Sequence, residues 1–176
     1  MITVKAEGLE AVMAKFNSYA QTVQIQIDGA LEEWANAVAR DAKMLVRANS
    51  ADEGGLLRSI NPDHGNGYAS VTASAAHAAY VEFGTRKFAA AYVSSLPGDW
   101  AAYANTFKGK SGGGTFKEFV KILMAWGART GKMDPKYAYV AALKILREGV
   151  KARPFLYPSV NKNLPLLMQD IKAIFK

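Results

Sequence analysis

The chain has no cysteine. That excludes a disulfide framework and any thiolate zinc site, and it fits synthesis in a reducing cytosol. Histidine is almost as scarce, with only His64 and His77. His64 stands in a turn beside Asp63, and His77 lies five residues before Glu82, so a helix does not present that pair as i, i+4 ligands. No metal-ligand spacing emerges. A Ser-His-Asp triad is not tied to one spacing, but no serine here sits in a G-x-S-x-G elbow. The expectation is therefore a protein without cofactor, metal or catalytic residue. No apolar run approaches the roughly 18 residues of a membrane span. The start, MITVKAEGLEAV, has acidic residues where a cleaved signal would have its apolar core. A soluble protein with no membrane partner is expected.

Acidic residues are also scarce in one place. Residues 86–152 hold twelve Lys or Arg against four Asp or Glu, while the rest of the chain holds ten against eleven. The formal charge of +7 therefore comes from one segment. Clustered lysines of this kind neutralise phosphates without reading sequence, although lysines on amphipathic helices commonly form a solvated face. Within the segment, ANTFKGKS (Ala104 to Ser111) matches the phosphate-binding loop G-x-x-x-x-G-K-[ST] except at its first position. That loop needs a strand before it and a helix directly after the lysine. DWAAYA upstream makes a poor strand, and further glycines follow, so nucleotide binding is not expected.

The chain has 176 residues, half of them hydrophobic, which is enough for one ordinary domain burying about 70% of its unfolded surface. Leu9, Val12, Met13, Phe16 and Tyr19 recur at helical spacing. TVQIQI (22–27) alternates locally, and then Ile27, Leu31, Trp34, Val38, Ala42 and Leu45 mark a long helix over about 21–48. A loop follows, then a strand at 56–61, a turn in PDHGNG, and a second strand at 68–75 that alternates like an antiparallel strand with one solvated face. A short helix is expected at 76–83. Helices at 115–127 and 134–148 would bury Phe119, Ile122, Leu123 and Trp126, and Tyr137, Val140, Leu143 and Leu146. Gly131 and Gly149 stop them, and Asp134 before Pro135 is an N-cap. A last helix covers about 164–175.

Two segments carry the most specific pattern. AAYVEFGT (Ala78 to Thr85) places Tyr80 and Phe83 on one side of a helix that Gly84 closes in a left-handed conformation. It also carries one carboxylate, Glu82, for which a salt bridge to Arg153 or Arg58, or hydrogen bonds to backbone at a turn or subunit contact, is expected. ARPFLYPSV (Ala152 to Val160) has Pro154 and Pro158 around Phe155, Leu156 and Tyr157, a stiff segment with Phe155 as its apolar anchor.

With DEGGLLRSI (Asp52 to Ile60) before them, these segments resemble the neck and tail-completion proteins of long-tailed lambdoid bacteriophages. There a long helix leads to a Gly-Leu-Arg-Ser-Ile-like strand, a Tyr-Val-Glu-Phe-Gly-Thr segment follows, and Ala-Arg-Pro-Phe introduces the last helix. The resemblance spans roughly residues 20–170. It implies an α+β fold, with a small antiparallel sheet packed by the long helix and the C-terminal helix and a helical insertion at about 86–152. It implies a virion protein made in the host cytoplasm, acting at the head–tail joint or tail end as a homo-oligomeric ring that binds other neck or tail proteins. Tyr80, Glu82, Phe83, Gly84, Thr85, Arg153, Pro154, Phe155 and Pro158 would hold the shared architecture. Lys108, Lys110, Lys117 and Lys121 would contact a partner or DNA in the channel. The other reading of the same sequence is a nonspecific DNA-binding protein using residues 86–152.

Overall fold

The computed structural model describes residues 9–49, 54–107 and 115–175. One helix dominates it. α1 runs unbroken from Leu9 to Asn49, so the alternating TVQIQI stretch is helical: Val23 and Ile27 continue the 3.6-residue stripe of both neighbours, while Ile25 falls on the other side and is 72% exposed. α2 (Gly55–Ser59) leads into β1 (Ile60–Gly65), which pairs antiparallel with β2 (Tyr68–Ala73). α3 (Ala78–Phe83) follows, and then α4 (Arg86–Val93), α5 (Gly98–Asn105), α6 (Phe116–Thr130), a 3-10 turn (Pro135–Tyr137) and α7 (Ala138–Glu148). α8 (Leu156–Ile174) ends the fold. This is the expected α+β class, with the hairpin and α8 both packed on α1.

The core is small and lies where α1 meets the start of everything else. Ala39, Ala42 and Val46 of α1 pack with Leu56, Ile60, Ala78 and Phe155. α8 runs antiparallel to α1: the Arg153 guanidinium reaches the Asn49 carbonyl, and ten residues on, Asn163 reaches Asp41. The hairpin descends the same way, from Ile60 in the core to Gly67, whose N–H donates to the Asp28 carboxylate at 2.8 Å.

Several local expectations change. GLLRS is a helical turn, with Leu56 buried and the Arg58 N–H bonded to the Gly54 carbonyl, so the strand starts only at Ile60. The strand then continues through Pro62 to Gly65, and Asn66-Gly67 alone makes the hairpin turn, as favoured by that dipeptide. α4 and α5 fill a stretch of the expected helical insertion in which no individual helix had been placed. α8 begins at Leu156, eight residues before the anticipated start, and holds both Pro158 and Pro165. Pro158 falls in the first turn, where the missing N–H costs no helical bond. ARPFLYPSV is therefore only half extended.

The buried faces of the inserted helices also differ. Ala138 and Ala142 are the buried side of α7, while Tyr137, Val140, Leu143 and Leu146 are exposed, Val140 at 62%. Ile122 of α6 is 64% exposed, whereas Phe119, Leu123 and Trp126 are half-buried. Small alanines allow close helix approach and leave the larger apolar residues outside. The stops and caps match expectation: Gly131 takes the left-handed conformation, and the Asp134 side chain accepts from the Lys136 N–H. Among the described residues no helix is long and apolar enough to cross a membrane.

The excursion from α4 to α7 leaves and rejoins the rest of the chain at one seam. The Thr85 N–H donates to the Val150 carbonyl at 2.9 Å, and the Val150 N–H donates to Thr85 Oγ1 at 2.8 Å. Two glycines make this approach possible. A Cβ on Gly84 would meet Ala152 N at 2.7 Å, and one on Gly149 would meet the Thr85 carbonyl oxygen at 2.2 Å. Both have positive φ, but Gly84 at φ 72, ψ −168 is in a glycine-only extended region and does not take the left-handed helical conformation anticipated for it.

Gly149→Ala is expected to cost about 1–3 kcal/mol in urea unfolding. Gly29→Ala, in α1 with nothing near its Cβ position, should instead stabilise by about 1 kcal/mol. Equal effects of the two substitutions would show that the seam does not form as described.

Candidate functional site

The two sequence segments meet at Glu82. Its carboxylate is buried, 2% exposed, on the last turn of α3. Oε2 accepts from the N–H of Phe155 at 2.7 Å and of Leu156 at 2.9 Å, and Oε1 accepts from Tyr157 at 3.0 Å. These are the orphan donors of the first turn of α8, so Glu82 caps that helix from 73 residues away. The Arg153 N–H donates to the Val81 carbonyl at 2.8 Å, which holds the segments in register.

Neither arginine considered for Glu82 is its partner. The Arg153 guanidinium turns away to the Asn49 carbonyl at 2.7 Å, tying α8's entry to the end of α1, and Arg58 makes no ion pair with Glu82. Backbone donors satisfy the carboxylate because the start of a helix offers several N–H groups at once. Burial pushes the Glu82 carboxyl above its ordinary 4.5, and the three N–H groups pull back in the other direction. Burial also pushes up the hydroxyl of Tyr92, with the charge on Glu82 adding to it.

Around this clasp, Phe155 is 1% exposed and belongs to the core cluster. Phe83 is buried against Tyr103 and Phe107, with ring centroids 6.2 and 6.3 Å away. Trp100 of α5 stands edge-on to Tyr157 at 5.2 Å. Gly84 and Thr85 form the seam, Pro154 and Pro158 are half-buried beside Phe155, and Tyr80 is half-buried on α3. A cleft of about 580 Å³ opens between β2, α3 and α5, walled by Val71, Ala79, Phe83, Trp100 and Tyr103 with Glu82 in its lining.

A second polar contact went unread in the sequence. Asp41, 6% exposed, accepts from Asn163 at 3.0 Å and from Lys162 at 2.9 Å, and Asn163 also donates to the Ser159 carbonyl. The Lys162 and Asn163 hydrogen bonds hold the Asp41 carboxyl below its usual value. An aspartate one turn from Val38 and Leu45, on a stripe otherwise apolar, was the available signal.

The remaining candidates do not join this site. His64 lies on β1 facing Glu32 at 3.7 Å, not in a turn paired with Asp63, and His77 precedes α3. Among the described residues no three of His, Asp and Glu are grouped to hold a metal. Lys117 and Lys121 are exposed on α6, while Lys108 and Lys110 lie outside the described residues, as does the whole second half of ANTFKGKS, residues 108–111. Upstream of that motif the chain is α5, a helix where a phosphate loop needs a strand. Three carboxylates of the basic segment are already engaged: Glu118 in the capping box with Thr115, Asp134 with Lys136, and Glu148 with Lys87 and Arg147.

Residues 10–84 match the model of the HK97-gp10-like family, described as "Bacteriophage HK97-gp10, putative tail-component". The match takes in α1, the hairpin and α3, and ends on the glycine of the seam. Over these residues, less than half of the chain, the sequence is similar to that family of putative bacteriophage tail components, in keeping with the neck and tail-completion proteins that its motifs resemble. No curated protein and no solved structure matches the chain.

Glu82→Ala is expected to cost about 3 kcal/mol, since it leaves the donors of α8 without their acceptor. Glu82→Gln, which keeps one acceptor oxygen, should cost less. With its folded pKa raised, Glu82 binds its proton more tightly in the folded state than in the unfolded chain. Its contribution is fully present below about 4.5 and declines as pH rises through the folded value. The deficit of Glu82→Gln against the wild type, from urea melts across pH 4–8, should therefore shrink as pH rises; growth with pH would mean that the three N–H groups outweigh burial. Phe155→Ala should cost about 3–5 kcal/mol in the same assay, and a loss below about 1 kcal/mol would contradict its place in the core.

Proposed function

We propose that the chain is a structural virion protein of a tailed phage. It acts at the head–tail joint or tail end, as a ring of identical subunits that binds neighbouring neck or tail proteins and catalyses no reaction. The observation that carries this reading is the tail-component match over residues 10–84. The clasp supports it, because the residues shared with neck proteins are spent on architecture: Glu82 satisfies backbone donors, Phe155 fills the core, and Gly84 and Thr85 form the seam. In this reading residues 1–176 form one domain, and the basic segment 86–152 is an insertion available to a partner. Lys117 and Lys121 stand exposed on α6, which supports a role in contact over one in folding. A phage lacking the protein should accumulate separate heads and tails under the electron microscope, and supplying the chain should restore joined particles.

A second reading has its own observation. With Glu118, Asp134 and Glu148 engaged within the chain, Lys117, Lys121 and Lys132 carry no ion pair among the described residues. A nonspecific DNA binder would use them, with affinity falling steeply in salt.

Replacing Lys108, Lys110, Lys117 and Lys121 with Gln should leave thermal melting and self-assembly unchanged but lower the yield of joined particles in complementation. Full infectivity would show that these lysines form only a solvated face.

A further inference from the structure

The hairpin has two edges, and they differ. With Asn66-Gly67 as a two-residue turn, Gly65 and Tyr68 form the closing hydrogen-bonded pair, and the register then alternates. Tyr68, Ser70 and Thr72 therefore turn their N–H and C=O groups toward β1. The Ser74 N–H, which donates to the Ser59 carbonyl at 3.2 Å, keeps the same parity. Ala69, Val71 and Ala73 turn their backbone groups outward, and among the described residues nothing bonds to them. On β1 the outward positions are Ile60, Pro62 and His64, and Pro62 has no N–H to offer a further strand. β2 carries neither proline nor charge, the usual protection of an open edge.

The open edge runs along the cleft. Val71 to Ala76 line it, together with Ala79 of α3 and Trp100 and Tyr103 of α5. No residue of β1 or α1 is in the lining, which places the cleft on the outer side of β2. Unpaired strand groups beside apolar walls fit an extended peptide, whose main chain bonds to the edge while alternate side chains fill the walls. The charged side chains of the lining are Glu82 and Asp99, both acidic. Complementarity therefore favours a segment that carries a base and no acid.

Residues 1–8 lie outside the described residues, and their sequence has this chemistry. Ile2-Thr3-Val4-Lys5-Ala6 alternates apolar with polar residues, as Val71, Ala73 and Ala75 alternate with Thr72 and Ser74, and it holds one lysine and no acid. The internal stretches outside the described residues, 50–53 and 108–114, contain no large apolar residue. The segment is too short to reach the cleft of its own chain. Val71 packs on the core cluster, which begins at Ala39, about 45 Å along α1 from Leu9 at 1.5 Å per residue. Eight extended residues span at most about 28 Å. We infer that residues 2–6 of a second copy add as a third strand to the outer edge of β2, with Lys5 meeting the acidic lining of the cleft. Their five residues match Val71 to Ala75 in length. Such a contact joins unlike surfaces, so repetition closes a ring or extends a filament. The inference rests on the proposed function in one respect, that several copies assemble; it adds the strand that joins them.

The test uses the purified full chain and a synthetic peptide of residues 1–8. In sedimentation velocity the wild type should be an oligomer. A variant with Ile2→Asp and Val4→Asp should be a monomer with unchanged helical circular dichroism. The peptide should bind that monomer and shift its tryptophan fluorescence as it covers Trp100. Strand pairing uses the N–H groups of alternate residues. N-methylation of one alternating pair, Ile2 and Val4 or Thr3 and Lys5, should therefore weaken the peptide about tenfold or more, and methylation of the other pair should not. In the full chain Ala73→Pro removes one outward N–H and no bond to β1, so it should also give monomers; if it unfolds, the methylated peptides decide alone. The inference is overturned by a monomeric wild type, by a peptide that fails to bind at millimolar concentration, or by equal effects of the two methylation patterns. An oligomer kept by the Ile2 and Val4 variant also overturns it, leaving the edge to the strand of another protein. Mass spectrometry of purified particles separates the two claims: absence of the chain from virions contradicts the function, whereas presence with an unaffected oligomer contradicts only the strand.

Discussion

The fold depends on one buried carboxylate at the start of a helix. Glu82 gathers the N–H groups of Phe155, Leu156 and Tyr157, and by doing so sets where α8 begins and how it leaves α3. From that start α8 runs down α1 with Phe155 in the core and Asn163 against Asp41. A charge taken out of water is costly unless it is fully hydrogen-bonded, and a helix N-terminus is one of the few backbone features that can supply several donors and a favourable dipole together. The carboxylate and the helix start each supply what the other needs once both are buried.

The ends of the segment between Thr85 and Val150 are hydrogen-bonded to each other at the seam, and the core cluster where the hairpin, α1 and α8 meet holds no residue of α4 to α7, although Tyr103 and Trp100 of α5 pack on Phe83 and Tyr157. The family match stops at the same seam. The surplus positive charge lies beyond it, on helices that turn alanines inward and keep Val140, Leu143 and Ile122 exposed. A surface with both apolar and basic residues suits a protein partner with an acidic rim, since potential complementarity steers such encounters.

How much of this was legible in the sequence differs by element. The stripe of α1, the Asn66-Gly67 turn region, the stop at Gly131 and the Asp134-Pro135 cap were readable because each rests on local residue chemistry. For Glu82, hydrogen bonds to backbone were one of the two expected outcomes, but the segment that supplies them was not legible. The Glu82 acceptors bind backbone N–H groups, and any residue but proline offers one, so side-chain identities in ARPFLYPSV carry no mark of the bond. α7 misled for another reason: it is apolar on two sides, and periodicity alone does not say that Ala138 and Ala142 face in while Val140 and Leu143 face out. GLLRS read as a strand because its link to β1 hid a single helical turn.

In the proposed role this chain is a built-in part of the phage particle, with its shared motifs spent on holding the subunit together. Cryo-electron microscopy of intact particles is the decisive measurement. The expected result is density at the neck or tail end into which α1, the hairpin and α8 fit as a unit, repeated around the tail axis, with the Glu82 clasp inside each subunit. Particles complete at both neck and tail end but with no density for this fold would contradict it.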